Sequence, residues 1–205
     1  MNAYYVQALR SQQLEAELGR LKAQVNQHFL FNTLNNLYGL SLSAPAQIPE
    51  ALLQLAGLMR YQLDSSRQPL VTVGAEAEYL ADYVGLEKLR LHPTAQFSFT
   101  ADVPWPDQPL ASLLLLPLVE NCFKHAVGPG GRATIHIQLL QTERCLSLST
   151  TNALPAPADG QVVASGLGLP NLRARLAQLY PGVRHSLHLE ATATQYTAVL
   201  TLFTR

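Results

Sequence analysis

Apolar side chains near the start of the chain recur at helical spacing. Leu14, Leu18, Leu21 and Val25 stand four, three and four residues apart. That heptad-like seam predicts a bundle or coiled-coil helix over about residues 4–43, a stretch without proline. Such a seam needs a partner helix, from this chain or from a second copy. Two prolines between 43 and 49 break the pattern. A second helix is expected from Pro49, which suits a first-turn position. Leu52, Leu55, Met59 and Leu63 line one side of it, and it ends near 64–66. Two helices with so short a connection read as an αα-hairpin.

Beyond Pro69 the texture changes. Residues 71–73 read as extended, 75–91 as a helix, and 97–100 as an alternating strand. Residues 110–127 read as helical, with Pro117 at a start or kink. Residues 135–139 and 146–149 read as paired strands, and 152–165, with Pro155, Pro157 and Gly160, as a mobile loop. A helix over 170–179 and an antiparallel pair over 186–189 and 197–203 complete the chain. The expected fold class is therefore α+β: a helical hairpin over 1–66, then an α/β sandwich over 67–205.

Composition narrows the classes. Hydrophobic residues make up 48% of the chain, enough for a real core. The formal net charge is zero, and nothing in the sequence suggests the clustered basic surface that nucleic-acid binding needs. The two cysteines, Cys122 and Cys145, match no metal-ligand spacing and suit a reducing, cytoplasmic setting. No stretch reaches the ~18 apolar residues of a bilayer span. The abrupt polar start is read as the soluble part of something longer.

Three clusters carry candidate chemistry. At 3.6 residues per turn, Gln24, His28, Asn32 and Asn35 share one quadrant, opposite Leu30, Leu34 and Leu37. A neutral imidazole there is a good nucleophile, with an ordinary pKa of about 6.5. The spacing alone more often marks a helix-surface histidine of no consequence. In Leu116-Pro117-Leu118-Val119-Glu120-Asn121-Cys122-Phe123-Lys124-His125, the side chains of Asn121, Lys124 and His125 fall on one face. An Asn oxygen is a hard ligand suited to Mg²⁺, Lys124 can meet a phosphate, and Glu120 can orient or deprotonate a group nearby. The same spacing is also that of a surface Glu–Lys pair. Gly166 and Gly168 then lead into a helix whose N-terminus could receive phosphate oxygens. No Gly-Lys-Ser/Thr follows, and a lone Gly-x-Gly is often only a turn. His92, His136, His185 and His188 lack a supporting constellation.

The order of the motifs is more specific than any one of them. His28-Phe29-Leu30-Phe31-Asn32, then Pro117-Leu118-Val119-Glu120-Asn121 with Lys124-His125, then Gly166-Leu167-Gly168-Leu169 with Asn171 and Arg175-Leu176, resemble a LytS/YehU-type sensor histidine kinase. Residues 86–90 are similar to a further segment of that family. The resemblance runs from about Leu21 to the C-terminus. It implies a homodimer built on the hairpin as a four-helix bundle, and a Bergerat-type ATP-binding sandwich. It implies His28 as phospho-acceptor, Asn121 holding Mg²⁺, Glu120, Lys124 and His125 around the phosphates of ATP, and Gly166 and Gly168 flanking a nucleotide lid. The implied partner is a response regulator that takes the phosphate on an aspartate, often one with a LytTR DNA-binding domain. Family members usually carry an N-terminal membrane sensor, so the implied place is the cytoplasmic side of a membrane.

Several positions depart from the family pattern. Gln27 stands where a proline is usual. Asn152 stands where an aspartate normally receives the adenine amino group, and the following Gly-x-Gly is absent. Ala164 replaces an early lid glycine. These changes bear on nucleotide affinity more than on fold. They leave two rivals to an autokinase: a docking module with a degraded nucleotide pocket, and an ATPase of the same superfamily that uses no histidine.

Overall fold

The structure is a computed structural model that describes residues 27–65, 68, 70–126, 133–154 and 168–203, without the side chains of Gln27, His28, His125 and Ala126. The Leu14–Val25 seam lies outside these residues. Helix α1 (Gln27–Ser43) and helix α2 (Ile48–Ser65) form the hairpin, joined through a 3-10 turn at Pro45–Gln47. Pro49 sits in the first turn of α2, where its missing N–H is no loss. Strand β1 (Leu70–Thr72) leads into α3 (Val73–Lys88). The Thr72 hydroxyl caps α3 by accepting from the Ala75 N–H at 3.1 Å.

Strands β2 (Gln96–Asp102), β4 (Thr134–Gln141), β5 (Cys145–Ala153), β6 (His185–Ala191) and β7 (Gln195–Phe203) form one sheet in the order β2-β4-β5-β7-β6. β2 and β4 run parallel, and the other neighbours are antiparallel. Between β2 and β4 lie β3 (Pro109–Ala111), which pairs with β1, and α4 (Leu116–Ala126). Helix α5 (Gly168–Leu179) lies between β5 and β6 in the chain. Alternation along β4 and β5 turns Ile135, Ile137, Leu139, Leu146 and Leu148 inward. Leu80 and Val84 of α3, Leu118 and Val119 of α4, and Leu172 and Leu176 of α5 join them in one contiguous core that also takes in Leu37, Leu55 and Leu58 of the hairpin.

The structure departs from the sequence reading in four places. Residues 110–127 are not one helix. Leu110 and Ala111 belong to β3, and α4 begins only at Leu116, ahead of Pro117. On α1, Leu37 is buried but Leu34 is exposed, and Thr33 takes a buried position. On α2 the buried stripe is Ala51, Leu55 and Leu58, while Leu52 and Leu63 face outward. Of the expected loop, Asn152 and Ala153 belong to β5, and 155–165 lies outside the described residues.

Candidate functional site

Helix α4 carries the densest group of candidate residues. Its apolar side, Leu118, Val119, Cys122 and Phe123, is buried, while Glu120 and Asn121 are half-buried and Lys124 is exposed. The buried thiol of Cys122 donates to the Thr151 carbonyl of β5 at 3.6 Å. That contact ties the polar turn of α4 to the strand position beside Asn152. Burial pushes the Cys122 thiol up to about 12. Cys122 is therefore a packing residue and not a nucleophile.

Asn152 is 1% exposed, yet its Oδ1 has no hydrogen-bond partner among the described residues. Its amide donates to the Ala153 carbonyl at 3.2 Å. A buried amide oxygen left open is costly, and it suits a donor brought by a ligand. This orphaned acceptor fits an adenine amino group. The donor set on α4 fits a phosphate chain with Mg²⁺, since Asn121 offers a hard oxygen and Lys124 a cation.

The remaining predicted residues are placed less fully. His28 lies in the first turn of α1 and His125 in the last turn of α4, both known by backbone alone. Gly166 lies outside the described residues. Gly168 opens α5, and a Cβ there would meet nothing within 4 Å. Packing among the described residues does not require a glycine at that position. His136, His185 and His188 sit on strands, as the sequence indicates.

Two groups went unnoticed in the sequence. Glu76, fully buried in the first turn of α3, accepts from the Leu113 N–H at 3.0 Å, the Leu115 N–H at 3.2 Å and the Tyr61 hydroxyl. Burial raises its pKa, against the pull of these hydrogen bonds. Arg175 of α5 holds the same loop from its carbonyl side, donating to Leu113 O at 3.0 Å and Ser112 O at 2.7 Å. Between the two, Leu113 is kept at a φ of 52°, a conformation that side-chain-bearing residues rarely adopt. An acid in a helix first turn is ordinarily a surface residue answering the dipole, so nothing marked Glu76 as buried. Arg175 was visible only as part of a motif.

The second group is aromatic. Phe29 stacks on Tyr83 of α3, with centroids 4.9 Å apart. Tyr83 meets Phe123 of α4 edge-on at 6.3 Å. Burial raises the Tyr83 hydroxyl pKa, and the Glu87 and Glu120 carboxylates raise it further. Glu120 also raises that of Tyr79, after burial. The candidate base therefore lies on the side of α4 that faces α3. No periodicity announces this arrangement, because its members come from three helices.

Residues 16–95 match the family model described as histidine kinase. Over 188 residues the chain is 30% identical to the sensor histidine kinase YesM of Bacillus subtilis, covering 87% of this chain and 32% of that protein. It is 28% identical over 190 residues to the sensor protein LytS of Staphylococcus epidermidis, covering 87% and 32%. It is 27% identical over 188 residues to the sensor histidine kinase BtsS of Escherichia coli, covering 90% and 33%. The chain thus spans about a third of the length of these relatives. Among solved structures, the histidine kinase domain of a blue-light activated histidine kinase from Erythrobacter litoralis aligns with a TM-score of 0.49 at 14% identity, covering 94% of this chain and 93% of that one.

Proposed function

We propose, from the similarity to the sensor histidine kinase YesM and the sensor protein LytS, that the chain is an ATP-dependent autokinase of a two-component pathway, phosphorylating His28. Residues 1–66 supply the acceptor and the dimer contact, and 67–205 hold the nucleotide. The observation that carries this reading is the open Oδ1 of Asn152, buried beside the α4 turn that bears Glu120 and Asn121. In this reading Asn152 accepts from the adenine amino group. Asn121 ligates Mg²⁺, Lys124 and His125 neutralise the phosphates, and Gly166 and Gly168 flank the lid. Glu120 orients the acceptor or takes its proton. Phosphoryl transfer leaves little covalent work to the protein, so positioning and charge neutralisation carry the rate.

Dimerisation is supported by a stripe on α1. Phe31, Leu34, Tyr38 and Leu42 are all exposed at spacings of three, four and four. Leu52, Leu53 and Leu63 are exposed on α2. An apolar stripe of this kind is the mark of a helix that packs against another chain. The phosphate then passes to an aspartate of a response regulator, of which LytTR-bearing proteins are one class. Among the described residues no helix is long and apolar enough to cross a membrane, so tethering would come from a sensor segment in a longer parent.

The test is incubation with γ-labelled ATP. The chain gains acid-labile, alkali-stable label, and His28→Gln gains none; equal labelling of both removes His28 from its role. The neutral Asn152 favours a second reading, a docking module without catalysis. An absence of Mg²⁺-ATP binding by calorimetry, even at millimolar ATP, would establish that reading instead.

A further inference from the structure

The hairpin is bound to its own sandwich along a closely packed helix pair. As α2 rises from Gln54 through Gly57 to Tyr61, its neighbours on α3 fall from Gly85 through Asp82 to Tyr79, so the helices run antiparallel. A Cβ on Gly57 would stand 2.2 Å from Asp82 Oδ2, and one on Gly85 2.4 Å from Gln54 Nε2. The Asp82 carboxylate and the Gln54 amide thus lie over the two glycines, where a Cβ would make these side-chain ends shift. The Tyr61 and Tyr79 rings stack at 4.4 Å, and the Gln62 amide donates to the Tyr79 hydroxyl at 3.0 Å. The Tyr61 hydroxyl donates to the fully buried Glu76.

Helix α1 cannot leave this arrangement easily. Its link to α2 is a tight turn, with the Ala44 N–H on Leu40 O at 2.7 Å and the Gln47 N–H on Ala44 O at 3.0 Å. Across that turn α1 returns to lay Phe29 on Tyr83, which packs on Phe123. Phe29 directly follows His28, and Phe123 directly precedes Lys124, two residues after Asn121. The aromatic stack thus joins the acceptor's turn of α1 to the nucleotide turn of α4 within one chain.

The geometry points to phosphoryl transfer within a single chain, with the Phe29–Tyr83–Phe123 stack setting the register between His28 and the nucleotide on the same chain's α4. This rests on the autokinase reading above. The lone pair of a neutral imidazole nitrogen of His28 forms the N–P bond. The bond from the γ-phosphorus to the bridging oxygen breaks, ADP leaves with that electron pair, and the proton on the other ring nitrogen passes to Glu120 or to water. The stack brings these two turns together within one chain, with no contribution from a second copy.

Two full-length chains with different tags, co-expressed and recovered together, decide between the routes. His28→Gln keeps the nucleotide turn but lacks the acceptor, and Asn121→Ala keeps the acceptor but lacks the metal ligand. Their mixed assemblies remain unlabelled by γ-labelled ATP if transfer is intrachain. Wild-type chains recovered with a chain carrying both substitutions keep full label per wild-type chain, where transfer between chains would remove nearly all of it. A wild-type chain that is monomeric in solution and still labels also supports the intrachain route. Label on the Asn121→Ala chain of the complementing pair, or loss of label from wild type beside the double variant, overturns the inference and leaves the kinase reading standing. An unlabelled wild type overturns the kinase reading, and this inference with it.

Discussion

The Tyr61 hydroxyl of α2 donates to the Glu76 carboxylate of α3, at a point where no part of Glu76 reaches solvent. The same carboxylate accepts from Leu113 and Leu115 in the loop that precedes α4. One buried acid therefore holds together the hairpin, α3 and the approach to the candidate nucleotide turn. Burying a carboxylate is expensive, and three donors offset that expense here.

Glu76→Ala leaves those three donors facing an apolar methyl. The expected loss is about 3 kcal/mol of folding stability, from the cost of unsatisfied buried groups. Glu76→Gln keeps one acceptor but turns an NH₂ toward a donor, and loses roughly half as much. Urea unfolding reads both, as a lower midpoint at an unchanged slope. An alanine variant with the wild-type midpoint would remove Glu76 from this role.

The acidity of Glu76 has a direction that can be tested. Burial raises its pKa above the ordinary 4.5. The folded state then binds the proton more tightly than the unfolded state, so this group favours folding at low pH. Its contribution is complete below about pH 4.5 and is lost as pH rises through the raised folded value. The stability of wild type relative to Glu76→Gln should shrink between pH 4.5 and 8. A difference that widens over that range contradicts the assignment.

The two cysteines should differ in reactivity. The Cys122 thiol, pushed up to about 12 by burial, offers almost no thiolate at pH 8. A disulfide reagent should titrate at most one thiol per folded chain, at Cys145, and both after unfolding in urea. Modification of Cys122 in the folded chain, located by peptide mapping, would show that α4 opens readily from β5.

Restoring charge at the adenine position should strengthen binding. Asn152→Asp offers the adenine amino group a carboxylate in place of an amide, worth about tenfold in affinity because charge-assisted hydrogen bonds are the stronger kind. Asn152→Ala removes the acceptor and weakens binding. Calorimetric titration with Mg²⁺-ATP measures both, and an aspartate variant that binds no better separates Asn152 from the adenine site.

The Tyr83 ring should matter for rate and not for nucleotide affinity. Tyr83→Leu removes the surface on which Phe29 rests, and autophosphorylation at saturating ATP should fall about tenfold or more through lost positioning. KM for ATP should hold. Tyr83→Phe keeps the ring and should keep the rate. A leucine variant that raises KM and spares the rate would mean that Tyr83 serves the nucleotide pocket instead.

Much of the local structure was legible from the residues. Alternation in 135–139 and 146–149 marked paired strands because every second side chain must turn to the same face, whatever lies opposite. Pro49 and Pro117 lie in first turns because proline loses nothing there. The polar turn from Glu120 to His125 was also visible, since offsets of three and four always share a helix face. Helix faces toward the core were less legible. Leu34, Leu52 and Leu63 are exposed while Thr33 and Ala51 are buried, because α1 and α2 are apolar on more than one side and the neighbour chooses which side to cover.

By itself, then, the chain's residue order determined most of the helices and strands, though not β3, the start of α4 or the end of β5, and which chemistry-bearing groups share a turn. These depend on backbone sterics and on periods of 3.6 and 2, which act over a few residues. Tertiary structure alone decided that Glu76 is buried, that Asn152 keeps an open acceptor, and that Phe29 lies on Tyr83. Burial and partnership are properties of surfaces brought together from distant parts of the chain, and no local pattern encodes them.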